Sequence, residues 1–197
     1  LACQFVKVLM ADYFLIVGEI DKCAFAPSDG LVAILAIAED RRFHYHVGVD
    51  PISVVRACFM TFLRGKLQGA STVEAQLVRT LTGRREISAT RKLRESLLAI
   101  LISLSRSKRA IAAAYLNCAY FGPSMIGVHR AALACGWSIT SCSLQDACTL
   151  IAMIRRPVDS SLSGKNQEKL RKRAAWIRTR VAARYQGGTL SLQKESG

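Results

Sequence analysis

Apolar residues recur at helical spacing along most of the chain, and no stretch alternates apolar and polar residues in the manner of a half-buried strand. The run from Leu31 to Ala38 follows "PSDG" and has helical composition, which puts Glu39 at or next to a helix C-terminus. "VDPISVVRACFMTFLRG" is bounded on both sides: Asp50 is placed to cap, Pro51 takes the first helical position and Gly65 lies past the end. In "GASTVEAQLVRTLTG", Ser71 and Glu74 spell a capping box and Gly83 a stop. Helical spacing resumes from Leu93 to Leu104, breaks at 105–107 and continues to Asn117. Further helices are predicted over 125–135, 144–155 and 166–186, the last ending at Gly187 and Gly188. The opening "LACQFVKVLMADYFLIVGEI" is apolar, but Lys7, Asp12 and Glu19 interrupt it before it reaches the roughly 18 to 20 clean residues of a membrane span. It reads either as the remnant of a membrane anchor or as the first strand or helix of the fold.

Composition narrows this to a folded domain. With 51% hydrophobic and 21% charged residues in 197, the chain has material for one core, or for a main lobe with a small second one. Charge adds a partner: 28 Lys and Arg against 14 Asp and Glu leave +14, which suits nucleic acid, an acidic membrane surface or a phosphate-bearing substrate. Ten of those cations lie between Arg155 and Arg184 against Asp159 and Glu168, where a solvated helix face and a binding face read equally well. The seven cysteines form no CxxC pair and no zinc spacing. They are expected mostly as buried small residues, with one disulfide among Cys118, Cys135, Cys142 and Cys148 as the minor alternative.

Chemistry concentrates in "AIAEDRRFHYHVGVD". An acid at a helix C-terminus opposes the macrodipole, so solvation alone is a poor reason for Glu39 to stand there. A second acid, Glu95, follows a cluster of Arg79, Arg84, Arg85, Arg91, Lys92 and Arg94. Two carboxylates on a helical scaffold suit sugar chemistry, in which one moves a proton on or off a hydroxyl while other groups stabilise an oxocarbenium ion or a leaving group. Guanidinium forks beside them suit a phosphate leaving group. His44 and His46 form a His-x-His pair, which is a weak metal signal; a hydrogen-bonded structural role is the better reading of His46.

The order of the motifs goes further. "EDRRFHYHVGVD" with Arg56 and Ala57 downstream, "GASTVEAQLVRTL", "RKLRESLLAILISLSRSKRAIAAAYLNCAYFG" and "GVHRAALACGWSITSCSLQDACTLIAMIRRP" follow one another like the four blocks of a single family. Over about residues 28 to 180 the chain resembles the peptidoglycan glycosyltransferases, family 51 of the glycosyltransferases, found as monofunctional enzymes and as the transglycosylase domain of penicillin-binding proteins. The resemblance implies an all-α, lysozyme-like fold with a main helical lobe and a small mobile lobe. It implies a cleft for two lipid-linked disaccharides, and transfer with inversion of the growing glycan from undecaprenyl diphosphate to the 4-hydroxyl of lipid II. Carried over residue by residue, Glu39 is the general base on that hydroxyl and Glu95 the second catalytic glutamate, on the diphosphate side. Asp40, Arg56, Ser71, Thr72, Gln76, Arg79, Arg91 and Lys92 match positions that hold diphosphate or sugars, while Asp40, His46 and Gly48 shape the turn after Glu39. No metal ligand is matched; a divalent cation, Mg2+ or Mn2+, is the one cofactor left open. The expected partners are lipid II and lipid-linked glycan, an anionic membrane surface and other cell-wall synthesis proteins, without nucleic acid. The expected location is the bacterial inner membrane, with the catalytic domain on its periplasmic or outer face.

The chain departs from the family pattern at Ala75 for Gln, Arg79 for Lys, Thr80 for Asn, Ser103 where an acid is frequent, and Arg155 and Arg156 in a usually less basic approach to Pro157. Both glutamates remain, so activity is expected, with altered donor handling. The division that follows is 1–27 as an N-terminal segment, 28–186 as the glycosyltransferase domain and 187–197 as a flexible tail. No penicillin-binding serine motif is present, and the chain is read as monofunctional. Two rivals stand beside this reading. A lysozyme-like muramidase or lytic transglycosylase would use Glu39 as general acid and have no need of the cations around Glu95. A basic helical nucleic-acid-binding domain rests on charge alone and lacks a clear helix-turn-helix.

Overall fold

The computed structural model describes residues 2–64, 71–84, 86–158 and 164–185. Through its middle runs α2 (Asp29–Glu39), capped by Ser28, whose hydroxyl accepts from the Leu31 N–H at 3.2 Å. From Gly30 to Glu39 α2 is buried at all but one position. A helix enclosed on all sides needs no polar face, which is why "GLVAILAIA" is a continuous apolar run. Numbering the remaining helices in chain order, α1 is Ala2–Asp21, α3 Pro51–Arg64, α4 Val73–Thr82, α5 Ala89–Ser105, α6 Lys108–Cys118, α7 Val128–Ala134, α8 Leu144–Arg155 and α9 Gly164–Arg184. Helices α6, α8 and α9 pack directly on α2, while α1, α4 and α5 pack on α6 and on one another. The small side chains of Ala112, Ala113 and Ala114 let neighbours approach α6 closely, and Leu77, Leu98, Ile102, Ile111 and Leu116 fill the space between α4, α5 and α6. Each such fully buried Leu or Ile contributes about 1.5–3 kcal/mol relative to exposure.

The all-helical expectation holds, with local corrections. The first segment is a helix; α1 gives Ile16 and Ile20 to the common core and leaves Val6, Phe14 and Leu15 exposed. Among the described residues no helix is long and apolar enough to cross a membrane. A short antiparallel hairpin, β1 (Tyr120–Gly122) and β2 (Met125–Ile126), occupies the start of the predicted 125–135 helix, so α7 begins only at Val128. Strands this short have no periodicity to read. Asp50 caps α3 as predicted, accepting from the Ile52 N–H at 3.1 Å. Of the described side chains of α3, Ala57 is buried, while Ile52, Val55, Phe59, Phe62 and Leu63 are exposed. Gly65 and the 187–197 tail lie outside the described residues. The six described cysteines are free thiols rather than a disulfide framework, and of these only Cys148 is fully buried.

Candidate active site

Glu39 is the last residue of α2, and its side chain is 1% exposed. Four donor contacts converge on its carboxylate. Arg155 Nε reaches Oε2 at 2.9 Å and Oε1 at 3.2 Å, Arg173 Nη2 reaches Oε1 at 3.0 Å, and Gln76 Nε2 reaches Oε2 at 3.3 Å. Arg173 is fixed a second time, donating to the Ala38 carbonyl at 2.7 Å and lying 4.9 Å from the Trp176 ring. Burial pushes the Arg173 guanidinium below its usual range, against the pull of Glu39. Gln76 is oriented by the Tyr115 hydroxyl, which donates to its Oε1 at 2.6 Å. Burial, reinforced by the Glu39 charge, raises the Tyr115 phenol, so it stays a neutral donor.

The carboxylate borders a cavity of about 460 Å³ whose wall includes Arg41, Arg42, Arg56, Arg155, Arg173 and Arg180. Asp40, Asp50, Ser53, Ser71 and Thr72 add to its polar lining, and the guanidiniums of Arg173 and Arg180 lie 4.9 Å and 5.0 Å from the Trp176 ring.

Behind the cavity the turn after Glu39 is locked. Asp40 Oδ2 accepts from His46 Nε2 at 2.9 Å and from the Val73 N–H at 3.2 Å. The same carboxylate thereby ends α2 and sits at the N-terminus of α4, where a negative charge is favoured. Gly48 has φ +75°, and a Cβ there would stand 2.2 Å from the Ala99 carbonyl oxygen, so only glycine fits. Thr72 Oγ1 donates to the Gly48 carbonyl at 2.6 Å and accepts from the Ala75 N–H at 3.2 Å. Thr72, not Ser71, is therefore the cap of α4, and Glu74 is freed from the predicted capping box. Glu74 is fully buried and paired with Lys108; burial raises its carboxyl above the ordinary range, with Lys108 opposing.

Glu95 lies elsewhere. Its side chain is 3% exposed and holds Arg79 Nη2 at 2.8 Å, Lys92 Nζ at 3.4 Å and Arg91. The space beside it is small, about 10 Å³. Of the residues singled out in the sequence, Glu39, Asp40, Arg56, Ser71 and Thr72 share the large cavity, and Arg79, Arg91 and Lys92 surround Glu95. Gln76 connects the two centres, touching Glu39 from a position one helical turn before Arg79 on α4.

One cluster among the described residues has metal-type ligands, and most of its atoms are already engaged. Asp40, His46 and Glu74 bring ligand-type atoms within 4.8 Å of one another. Asp40 already accepts two N–H groups there, and Lys108 neutralises Glu74. His46 Nδ1 and Glu74 Oε2 are without partners among the described residues, which leaves one free buried carboxylate oxygen in this cluster. Glu39 and Glu95 have their oxygens occupied by cations and an amide.

Sequence reading missed Arg155, Arg173, Trp176 and Arg180 as part of the site. The basic run from Arg155 onward was their signal, and it left a solvated face equally open. Contacts over 116 and 134 residues put Arg155 and Arg173 on Glu39.

A helical domain with a buried carboxylate at the rim of a strongly cationic cavity belongs among enzymes that use carboxylates on anion-bearing sugars. The pattern that defines the transglycosylase family matches residues 23–182, and the chain belongs to that family, the peptidoglycan glycosyltransferases. It is 39% identical to penicillin-binding protein 1A of Aquifex aeolicus over 121 residues, 60% of this chain and 17% of the relative. It is 35% identical to penicillin-binding protein 1B of Haemophilus influenzae over 133 residues, 64% of this chain and 17% of the relative. With penicillin-binding protein 1A of Rickettsia typhi it shares 29% identity over 160 residues, 79% of this chain. The chain spans 17 to 20% of the length of these relatives.

Proposed function

We propose that this domain polymerises lipid II into glycan strands, with Glu39 as the general base. The observation that carries the reading is the placement of Glu39: a buried carboxylate at the rim of a cavity walled by six guanidiniums. The 4-hydroxyl oxygen of lipid II attacks C1 of the growing glycan from the face opposite the leaving group. Its proton passes to Glu39, the C1–O bond to the diphosphate breaks, and that electron pair leaves on undecaprenyl diphosphate. Arg41, Arg42, Arg56 and Arg180 on the cavity wall suit that anionic leaving group, and a neutral sugar leaving group would have no use for them. This favours synthesis over the lytic reading. Arg56, Ser71 and Thr72 are placed to meet diphosphate or sugar, and Asp40 to fix the turn that carries Glu39. Glu95 acts by holding Arg79, Arg91 and Lys92 on the diphosphate side, not by proton transfer.

The glycosyltransferase motifs fall within residues 28–186, with α1 packed onto the same core, and the domain works at the outer, periplasmic face of the bacterial inner membrane. The exposed apolar residues of α3 lie next to the cavity through Ile52 and Arg56, which supports docking on an anionic lipid surface and delivery of lipid II from it. Other cell-wall synthesis proteins are its expected partners. The test is polymerisation of labelled lipid II in a membrane mimetic, with glycan length read on a gel. Ladders of lengthening glycan are expected, and their absence from folded protein would overturn the reading.

A further inference from the structure

We propose that Arg155 is a displaceable latch on Glu39, masking the base in the resting enzyme and leaving it when the acceptor hydroxyl enters. The inference rests on the reading of Glu39 as the base. A carboxylate offers about four acceptor positions, two on each oxygen. In the resting structure all four are used: Oε1 accepts from Arg155 and Arg173, and Oε2 from Arg155 and Gln76. A hydroxyl that must hand its proton to Glu39 has nowhere to bind until one donor withdraws.

The three donors differ in how firmly they are held. Arg173 is largely buried and anchored to the Ala38 carbonyl and the Trp176 ring. Gln76 is held by Tyr115 through its other amide atom. Arg155 closes α8, its side chain is 53% exposed, and one Nε–H is shared between both carboxylate oxygens. Sharing one hydrogen weakens each contact, and water screens a half-exposed pair, so Arg155 is the cheapest donor to displace. Its departure frees a position on each oxygen, while Arg173 and Gln76 keep the carboxylate aimed at the cavity. Arg155 is also the residue that departs from the family's usual approach to Pro157, so the latch belongs to this chain's own sequence.

A masked base lowers apparent substrate affinity by the fraction of unlatched enzyme, without changing turnover once substrate is bound. Steady-state polymerisation of lipid II by wild type, Arg155→Ala and Arg155→Lys tests this. Arg155→Ala is expected to lower KM about three- to tenfold. Arg155→Lys, whose ammonium cannot reproduce the shared Nε–H, falls between the two. A raised KM would make Arg155 a substrate ligand, and a lowered kcat with a lowered melting temperature would make it structural; either overturns the latch, as does no change in KM. Glu39→Gln is measured alongside, and full chain growth in that variant would remove the base reading. The latch is read independently from hydrogen exchange of the Arg155 Nε–H by NMR, its resonance identified by its loss in Arg155→Ala. Protection in the resting protein that disappears on adding lipid II supports the latch; unchanged protection overturns it, whatever Glu39 does.

Discussion

Glu39 and Glu95 are both nearly inaccessible carboxylates ringed by cations, yet they stand in opposite surroundings. Glu39 ends a fully enclosed helix and borders about 460 Å³ of polar cavity, whereas Glu95 sits inside α5 beside about 10 Å³. Its cations arrive differently as well. Two of those on Glu95 come from its own helix, three and four residues earlier, while both on Glu39 come from more than a hundred residues away. Local pairing produces a closed electrostatic staple, and long-range pairing produces a site with room for another molecule. Charge and burial are alike at the two acids; the space beside them is what differs.

The largest expected effect falls on the open centre. Glu39→Gln keeps the shape of the side chain but trades one acceptor oxygen for an NH2 donor and cannot accept a proton, and chain growth should fall on the order of 10² to 10⁴. Single-turnover polymerisation with a circular dichroism check of folding measures it, and near-normal turnover would erase the contrast. At the closed centre, Glu95→Gln should retain measurable polymerisation while costing about 1–3 kcal/mol of stability. Three cations lose their counter-charge there, but Arg79 and Lys92 are partly in water and blunt the cost. Urea denaturation beside the activity assay reads both, and inactivity of a folded Glu95→Gln protein would make Glu95 as reactive as Glu39.

A smaller effect sharpens the link between the centres. Arg79→Ala should weaken donor use several-fold more than Arg79→Lys, because lysine keeps a cation beside Glu95 though not the planar fork. Equal KM values for the two variants would detach Arg79 from the diphosphate. The smallest effect concerns the support beneath Glu39. Because burial raises the Glu74 carboxyl above its ordinary 4.5, the folded state holds that proton to higher pH than the unfolded chain does. Its stabilising contribution is complete below the unfolded value and is lost as pH rises through the raised one. Glu74→Gln removes this dependence, so its melting temperature should gain on wild type as pH rises from about 4 to about 7. A flat difference would mean that pairing with Lys108 cancels the cost of burial.

Much of the helical framework was legible because caps and apolar spacing are local. Asp50, Gly83 and the break at Ser105 fall where the sequence reading placed them. The cap of α4 was misread by one residue, since Thr72 is chosen over Ser71 by a bond to Gly48, twenty-four residues away. The hairpin at 120–126 escaped because two- and three-residue strands carry no period. Five of the candidate residues that the motifs singled out line one cavity. The arginines that complete it were not singled out, since a basic helix looks the same in sequence whether it faces water or a carboxylate.

By itself the sequence determined the elements, the family and the acids worth watching, because each is written in spacing, capping and motif order. Only the tertiary structure decided which of those acids is open and which is closed, and that Arg155 and Arg173 rest on Glu39. The physical reason is that access and ion pairing depend on how α8 and α9 close over the end of α2, a packing outcome that no local stretch of residues encodes.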